Sequence, residues 1–217
     1  GNMPLRNGWS SARLIIVTLL HFASALCGFV TAVAMGVLIN RFKGCILYAE
    51  MKAEMKGDIV LHGNKSTCDF VVSMNAVVTI IFSSVIAAVF VLQMIRKINL
   101  DLTNFVLVFM MTGFSGFILL LTLISAGIST AGYRAYCSSV ERQKRSCSTI
   151  IWLNDPNEVL HDLRTPMNAV IASSWIIVII WLIIFANGAY GLYAYHKNRN
   201  LDRNRNATKE NNESERY

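Results

Sequence analysis

The chain has 217 residues, 54% of them hydrophobic and 15% charged, with a formal net charge of +7. A soluble domain of this size needs more charge to cover its surface, so the composition excludes an ordinary soluble fold. The basic residues are not gathered into a face with aromatic platforms, as nucleic-acid binders require, and nucleic acid is excluded as a partner.

Residues 1–11 read as a short cytoplasmic N-terminus, in which Gly1-Asn2 ahead of Met3 looks like a scar left by a tag. Four apolar runs follow, at about 12–39, 70–95, 105–130 and 167–195. Each exceeds the roughly 20 residues needed to cross a bilayer core as a helix. None holds an Asp, Glu or Lys well inside it, and Arg13 opens the first. The first run is too long for a signal-peptide core and reads as a span. It carries Gly28, Ala32 and Gly36 at four-residue spacing, a face on which another helix can approach closely.

The first connection, residues 40–69, holds Cys45, Cys68 and the glycan acceptor triplet Asn64-Lys65-Ser66. Within it the spacing predicts a short helix over Ile46 to Lys56. Leu47, Met51 and Met55 fall on one face, and Gly57 serves as the C-cap. Asp58 to His62 reads as a short strand. Spans two and three are joined only by the turn Arg96 to Asp101. Gly113, Gly116, Ser125 and Ser129 in the third run and Gly188 and Gly191 in the fourth suit helix packing. The second long connection, residues 131–166, contains Cys137, the basic segment Arg142-Gln143-Lys144-Arg145, and Cys147. Asp155-Pro156-Asn157-Glu158 has the order of an N-cap, a Pro at the first helical position and a Glu at the third, predicting a surface helix to about Leu163. Residues 196–217 are polar and rich in Asn, Arg and Glu, and are expected to form a disordered tail.

The connection lengths place both long loops on one side and both termini on the other. The 20 Lys and Arg divide ten against ten between the two sides, so the positive-inside rule gives no orientation. The cysteines do: two in each long loop read as disulfides in an oxidising space. Four cysteines allow three pairings. The within-loop pairs Cys45–Cys68 and Cys137–Cys147 ask for the least chain ordering, with a cross-loop pairing as the rival. Asn64 agrees with this orientation, and the tail sequons at Asn206 and Asn212 read as chance matches. Cys27, in mid-span, reads as a small packing residue.

Polar residues within the spans are few: His21, Asn75, Gln93 and Asn187. His21 is the one ionisable side chain well inside a span, and it is expected to make an interhelical hydrogen bond. No nucleophile motif, phosphate-binding loop or metal-spaced cluster is present, so the reading is a protein that is not an enzyme, with no catalytic residue, cofactor or metal.

Several segments resemble the transmembrane protein 179 family. They are Gly44-Cys45-Ile46-Leu47-Tyr48-Ala49-Glu50 after the first span and Thr67-Cys68-Asp69-Phe70 entering the second. Ser125 to Gly132 leading to Cys137, with Ser146-Cys147, is similar to the family's third-span exit and Cys pair, and Tyr193-Ala194-Tyr195-His196 to the end of its fourth span. The resemblance implies four spans with cytoplasmic ends, and carries over no catalytic residue. A more distant likeness is to claudins and tetraspanins. Here the first loop lacks the claudin Trp-Gly-Leu-Trp run, and the second lacks the tetraspanin Cys-Cys-Gly.

The expected fold class is therefore an all-α membrane protein, a four-transmembrane-helix bundle over residues 12–195 with a small disulfide-bonded extracellular cap. It sits in the plasma membrane or an endomembrane. The expected function is that of an accessory subunit of a larger membrane protein, such as an ion channel or receptor. The alternative is a pore-forming subunit of a homo-oligomeric large-pore-type channel. The expected partner-binding surface joins Gly28, Ala32 and Gly36 to Leu47, Met51 and Met55.

Overall fold

The structure is a computed structural model that describes residues 5–42, 44–54, 57–95, 105–142, 147, 149–150, 161–162 and 164–214. Among these, four helices are long and apolar enough to cross a membrane: Arg13–Asn40, Lys65–Leu92, Phe109–Arg142 and Arg164–Lys197. A bilayer core offers no water to an open backbone, so each run closes its hydrogen bonds within its own helix.

α1 spans Leu5–Phe42. It ends where Gly44 N donates to Ile39 O at 3.2 Å, the six-residue closure of a Schellman-type cap. β1 (Cys45–Glu54) and β2 (Gly57–Gly63) then pair antiparallel. The second span is built from α2 (Lys65–Ser73), a π-helical segment (Met74–Phe82) and α3 (Ser83–Met94). α4 spans Phe105–Arg142 and α5 spans Arg164–Ser214. Between them β3 (Thr149–Ile150) pairs with β4 (His161–Asp162).

α1 packs between the second span and α5, and α5 packs on α4. α4 meets α2 and the π segment, and the contact thins out toward α3. One core lies at the β-hairpin end, where Met35, Phe42, Leu47, Val71, Tyr136 and Met167 are buried together. A second, smaller one lies mid-bundle around Ile118, Ile177 and Trp181. Hydroxyls and indoles link the helices. Thr31 Oγ1 and Ser173 Oγ are 2.6 Å apart, Trp181 Nε1 donates to Ser24 Oγ at 3.2 Å, and Trp175 Nε1 donates to Thr130 Oγ1 at 3.1 Å. In lipid such bonds help hold helices together, because apolar faces gain nothing by leaving apolar solvent.

Several expectations change. Ile46 to Glu54 is a strand, not part of a helix, and Gly57 begins β2 rather than capping a helix. Cys45 pairs with Gly63 while Glu50 pairs with Leu61, so β1 holds more residues than β2 over this stretch. The excess forms a bulge in which Tyr48 has φ 59° and Ile46, Leu47 and Ala49 turn into the core. A hairpin returns the chain to its starting point, which the Cys45–Cys68 closure requires. A single helix carries it about 1.5 Å further per residue.

The third helix runs through Arg142 rather than stopping near Thr130, because Tyr136 and Val140 are buried against the hairpin end. The second long connection is shorter by that length. His161 and Asp162 are in a strand rather than a surface helix, and Asp155 to Glu158 lie outside the described residues. The tail continues α5 as a helix through Ser214. Residues 192–214 contain neither Gly nor Pro, and extending an existing helix is far easier than nucleating one.

Candidate interaction surfaces and an intramembrane cavity

The hairpin end is fastened at two points. Cys45 and Cys68 form a disulfide with Cα atoms 5.7 Å apart, joining the base of β1 to the first turn of the second span. Cys137 and Cys147 form the other, Cα–Cα 5.1 Å, closing the chain back onto α4. Both pairings are the expected ones, Cys45–Cys68 and Cys137–Cys147, with Cys68 on α2 and Cys137 on α4 rather than in open loop. Gly132 on α4 lets the hairpin seat: a Cβ there would lie 2.9 Å from Leu47 Cβ and 3.1 Å from the Tyr48 ring. Tyr136, one turn on, meets Phe42 edge to face at 6.1 Å between ring centroids.

Asn64 is the N-cap of α2. Its Oδ1 accepts from Ser66 N at 3.1 Å and Ser66 Oγ at 2.9 Å. The cap occupies Oδ1, whereas a glycan is carried on Nδ2, so the two roles are compatible at this exposed residue.

The expected partner surface does not hold together as one face. Gly28 is committed to the protein's own bundle: a Cβ there would overlap the Thr79 side chain and lie 3.3 Å from Asn75 O. Leu47 is fully buried. Met51 stands on β1 opposite Val60, and Met55 lies outside the described residues. The reason is the bulge: residues four apart share a face in a helix and in a regular strand alike, but the extra residues around Tyr48 break that alternation within β1. Ala32 is half-buried, and Gly36 has open space where a Cβ would stand.

Other small residues face outward with nothing of the protein's own against them. A Cβ on Gly113 or Gly127 of α4 would meet nothing within 4 Å. Gly127 is followed at four-residue spacing by Ala131 and Ala135, both exposed. Gly113 was expected to serve helix packing, whereas Gly127, Ala131 and Ala135 were not singled out as a packing face from the sequence. A Gly-Ala spacing looks the same whether it faces in or out, and only the packing distinguishes Gly127 from Gly132.

Inside the bundle, toward the end where α3 finishes and α4 begins, lies a cavity of about 270 Å³. It fills the wedge where α3 and α4 part, with α1 and α5 as its back wall. Phe82, Phe114 and Trp181 form its inner end: the Phe82 and Phe114 rings are 4.8 Å apart and Phe82 stacks on Trp181 at 6.4 Å. Arg13 lines the other end and donates from its guanidinium to Asn187 O on α5. Between them is His21, only 3% exposed and held edge-on to Trp181 at 5.3 Å. Its Nδ1 has no hydrogen-bond partner, so this nitrogen does not make the interhelical bond expected of His21. Met111 and Phe114 line the cavity and are also exposed on the outer surface, so it opens sideways between α3 and α4. No group of three or more His, Cys, Asp or Glu capable of holding a metal occurs among the described residues.

A family model described as Transmembrane protein 179/179B Claudin domain matches residues 13–216. No curated protein and no solved structure matches the chain.

Proposed function

The chain belongs to the transmembrane protein 179/179B claudin-domain family, and from that we propose that it is a multi-pass interaction protein, an auxiliary subunit of a larger membrane complex such as an ion channel or receptor. The observation that carries this reading is the placing of its helical glycines. Gly28, Gly132 and Gly188 face close neighbours and are needed for the bundle itself. Gly36, Gly113 and Gly127 have open space around the Cβ position. A helical glycine costs about 1 kcal/mol relative to alanine, and the bundle gains nothing from these three. A partner helix does gain from them, because association in lipid depends on close backbone approach. The α4 ridge Gly127, Ala131 and Ala135, with Gly36 on α1, is the contact surface assigned.

We further propose that the hairpin end faces the lumen or exterior, with both termini cytoplasmic and Asn64 glycosylated. Two disulfides at one end of the bundle suit an oxidising compartment.

The test is purification from membranes in mild detergent, comparing complex size for the unaltered chain, Ala131→Leu and Gly36→Leu. A partner complex is expected, with occupancy lowered about tenfold by a bulky residue on the contact ridge, as a loss of 1–3 kcal/mol implies. A full complex retained by both variants at normal surface level would rule the surface out. A particle made only of copies of this chain would favour the homo-oligomeric pore instead.

A further inference from the structure

We propose that the cavity between α3 and α4 is a binding site for an acyl lipid with an anionic head, entering sideways from the bilayer. Three observations meet there. The cavity is apolar along its length and closed at its inner end by Phe82, Phe114 and Trp181. This suits a hydrocarbon chain. Its outer end carries Arg13, and no acidic residue is among the described residues that line it. Arg13 already donates to the Asn187 carbonyl, but a guanidinium has five N–H donors in a fork that matches carboxylate or phosphate. His21 lies eight residues further along α1, about 12 Å deeper at 1.5 Å per residue. It is buried, it lines the cavity, and its Nδ1 is left without a partner.

A buried polar group without a partner is costly. A ligand that supplies one removes that cost. An ester-linked lipid does so: its phosphate meets Arg13, its ester oxygen comes within reach of His21, and its chain fills the wedge. A fatty acid shares the anionic head and the chain but has no polar group at the depth of His21. The divergence of α3 from α4 gives the chain its entry path. An ordinary four-helix bundle closes such a wedge with side chains. Here Ser115 stands on the lining where a larger residue would fill it. The site is independent of which protein partner the outer surface takes.

The test uses the full chain in nanodiscs with chain-diazirine analogues of phosphatidylserine, phosphatidylcholine and palmitic acid, and mapping of the crosslinked peptides. The phosphatidylserine probe is expected to label α3 and α4 around Phe90, Met111 and Phe114. Yield should fall about tenfold when Arg13→Gln removes the charged hydrogen bonds. It should fall similarly when the cavity is filled from either wall, by Val17→Trp or by Val89→Trp. Two filling variants are used so that misfolding of one, seen as aggregation on size-exclusion chromatography, does not decide the matter. His21→Phe separates the sources. Loss of phosphatidylserine labelling identifies the ester-linked lipid, while strong palmitate labelling that is lost in Arg13→Gln and indifferent to His21→Phe identifies the free acid. Equal labelling by phosphatidylcholine, or labelling of the lining that survives both Trp variants, overturns the proposal.

Discussion

At the scale of single residues, the bundle is read best through what each small side chain faces. Gly132 admits Leu47 and Tyr48, so Gly132→Leu overpacks the hairpin end and is expected to destabilise the protein by about 1–3 kcal/mol. Thermal unfolding in detergent measures this. Gly36 has no neighbour there, so Gly36→Leu is expected to leave stability unchanged or raise it by up to about 1 kcal/mol, the helical cost of the glycine. A comparable loss of stability in both would show that Gly36 also packs internally. Asn64 joins a structural role to a proposed chemical one. Asn64→Ala removes the cap of α2, at about 1 kcal/mol. Glycosidase treatment is expected to shift the unaltered chain on a gel and leave Asn64→Gln unmoved. A glycan shift that survives Asn64→Gln would place the carbohydrate on the tail sequons and reverse the proposed orientation.

At the scale of elements, the hairpin is held less by its two strands than by what its base is attached to. An isolated two-stranded hairpin is marginal in water. Here the bulge inserts Ile46 and Leu47 into the bundle, and the disulfide to Cys68 fastens the chain 23 residues on. On the chain-entropy account, closing a loop of that length stabilises by about 3.4 kcal/mol, and the 10-residue closure at Cys137–Cys147 by about 0.7 kcal/mol less. The paired change Cys45→Ser with Cys68→Ser is expected to expose β1 and β2 to limited proteolysis while the four spans stay inserted. Cleavage no faster than in the unaltered chain would mean that Leu47 and its neighbours suffice. The π segment is the other unusual element. It places Asn75 and Thr79 against α1 at Gly28, and Asn75 Nδ2 donates to Val71 O at 2.8 Å. The nitrogen of this buried amide is thereby satisfied on its own helix.

At the scale of the whole molecule, the two ends of the bundle differ in kind. One end is closed, with its core continued by the hairpin and tied by both disulfides. The other is split by the wedge between α3 and α4. Such an arrangement would suit the proposed roles, the tied end making contacts outside the bilayer and the split flank admitting lipid. The orientation we propose is checked by an epitope placed after Tyr217, which is expected to stain only after permeabilisation. Staining of intact cells would put the hairpin end in the cytoplasm, where disulfides are rarely kept.

The number and order of the spans were legible from hydropathy, because a charge-free run of more than 20 residues has few alternatives to a membrane helix. The resemblance of the segments around Cys45, Cys68, Cys137 and Cys147 likewise pointed to the family that matches residues 13–216. The conformation of residues 46–54 was not legible. Leu47, Met51 and Met55 satisfy a helical period, yet strand pairing to β2 and burial against Gly132 prevail, and both depend on residues distant in sequence. The same limit applies to the candidate surfaces. Gly28 and Gly36 are equivalent as letters eight residues apart, and only the crossing of the second span at Thr79 separates the inward glycine from the outward one. The cavity could not be read along the chain at all. Arg13, His21, Met111 and Trp181 belong to three helices, and it takes the parting of α3 from α4 to open a space among them.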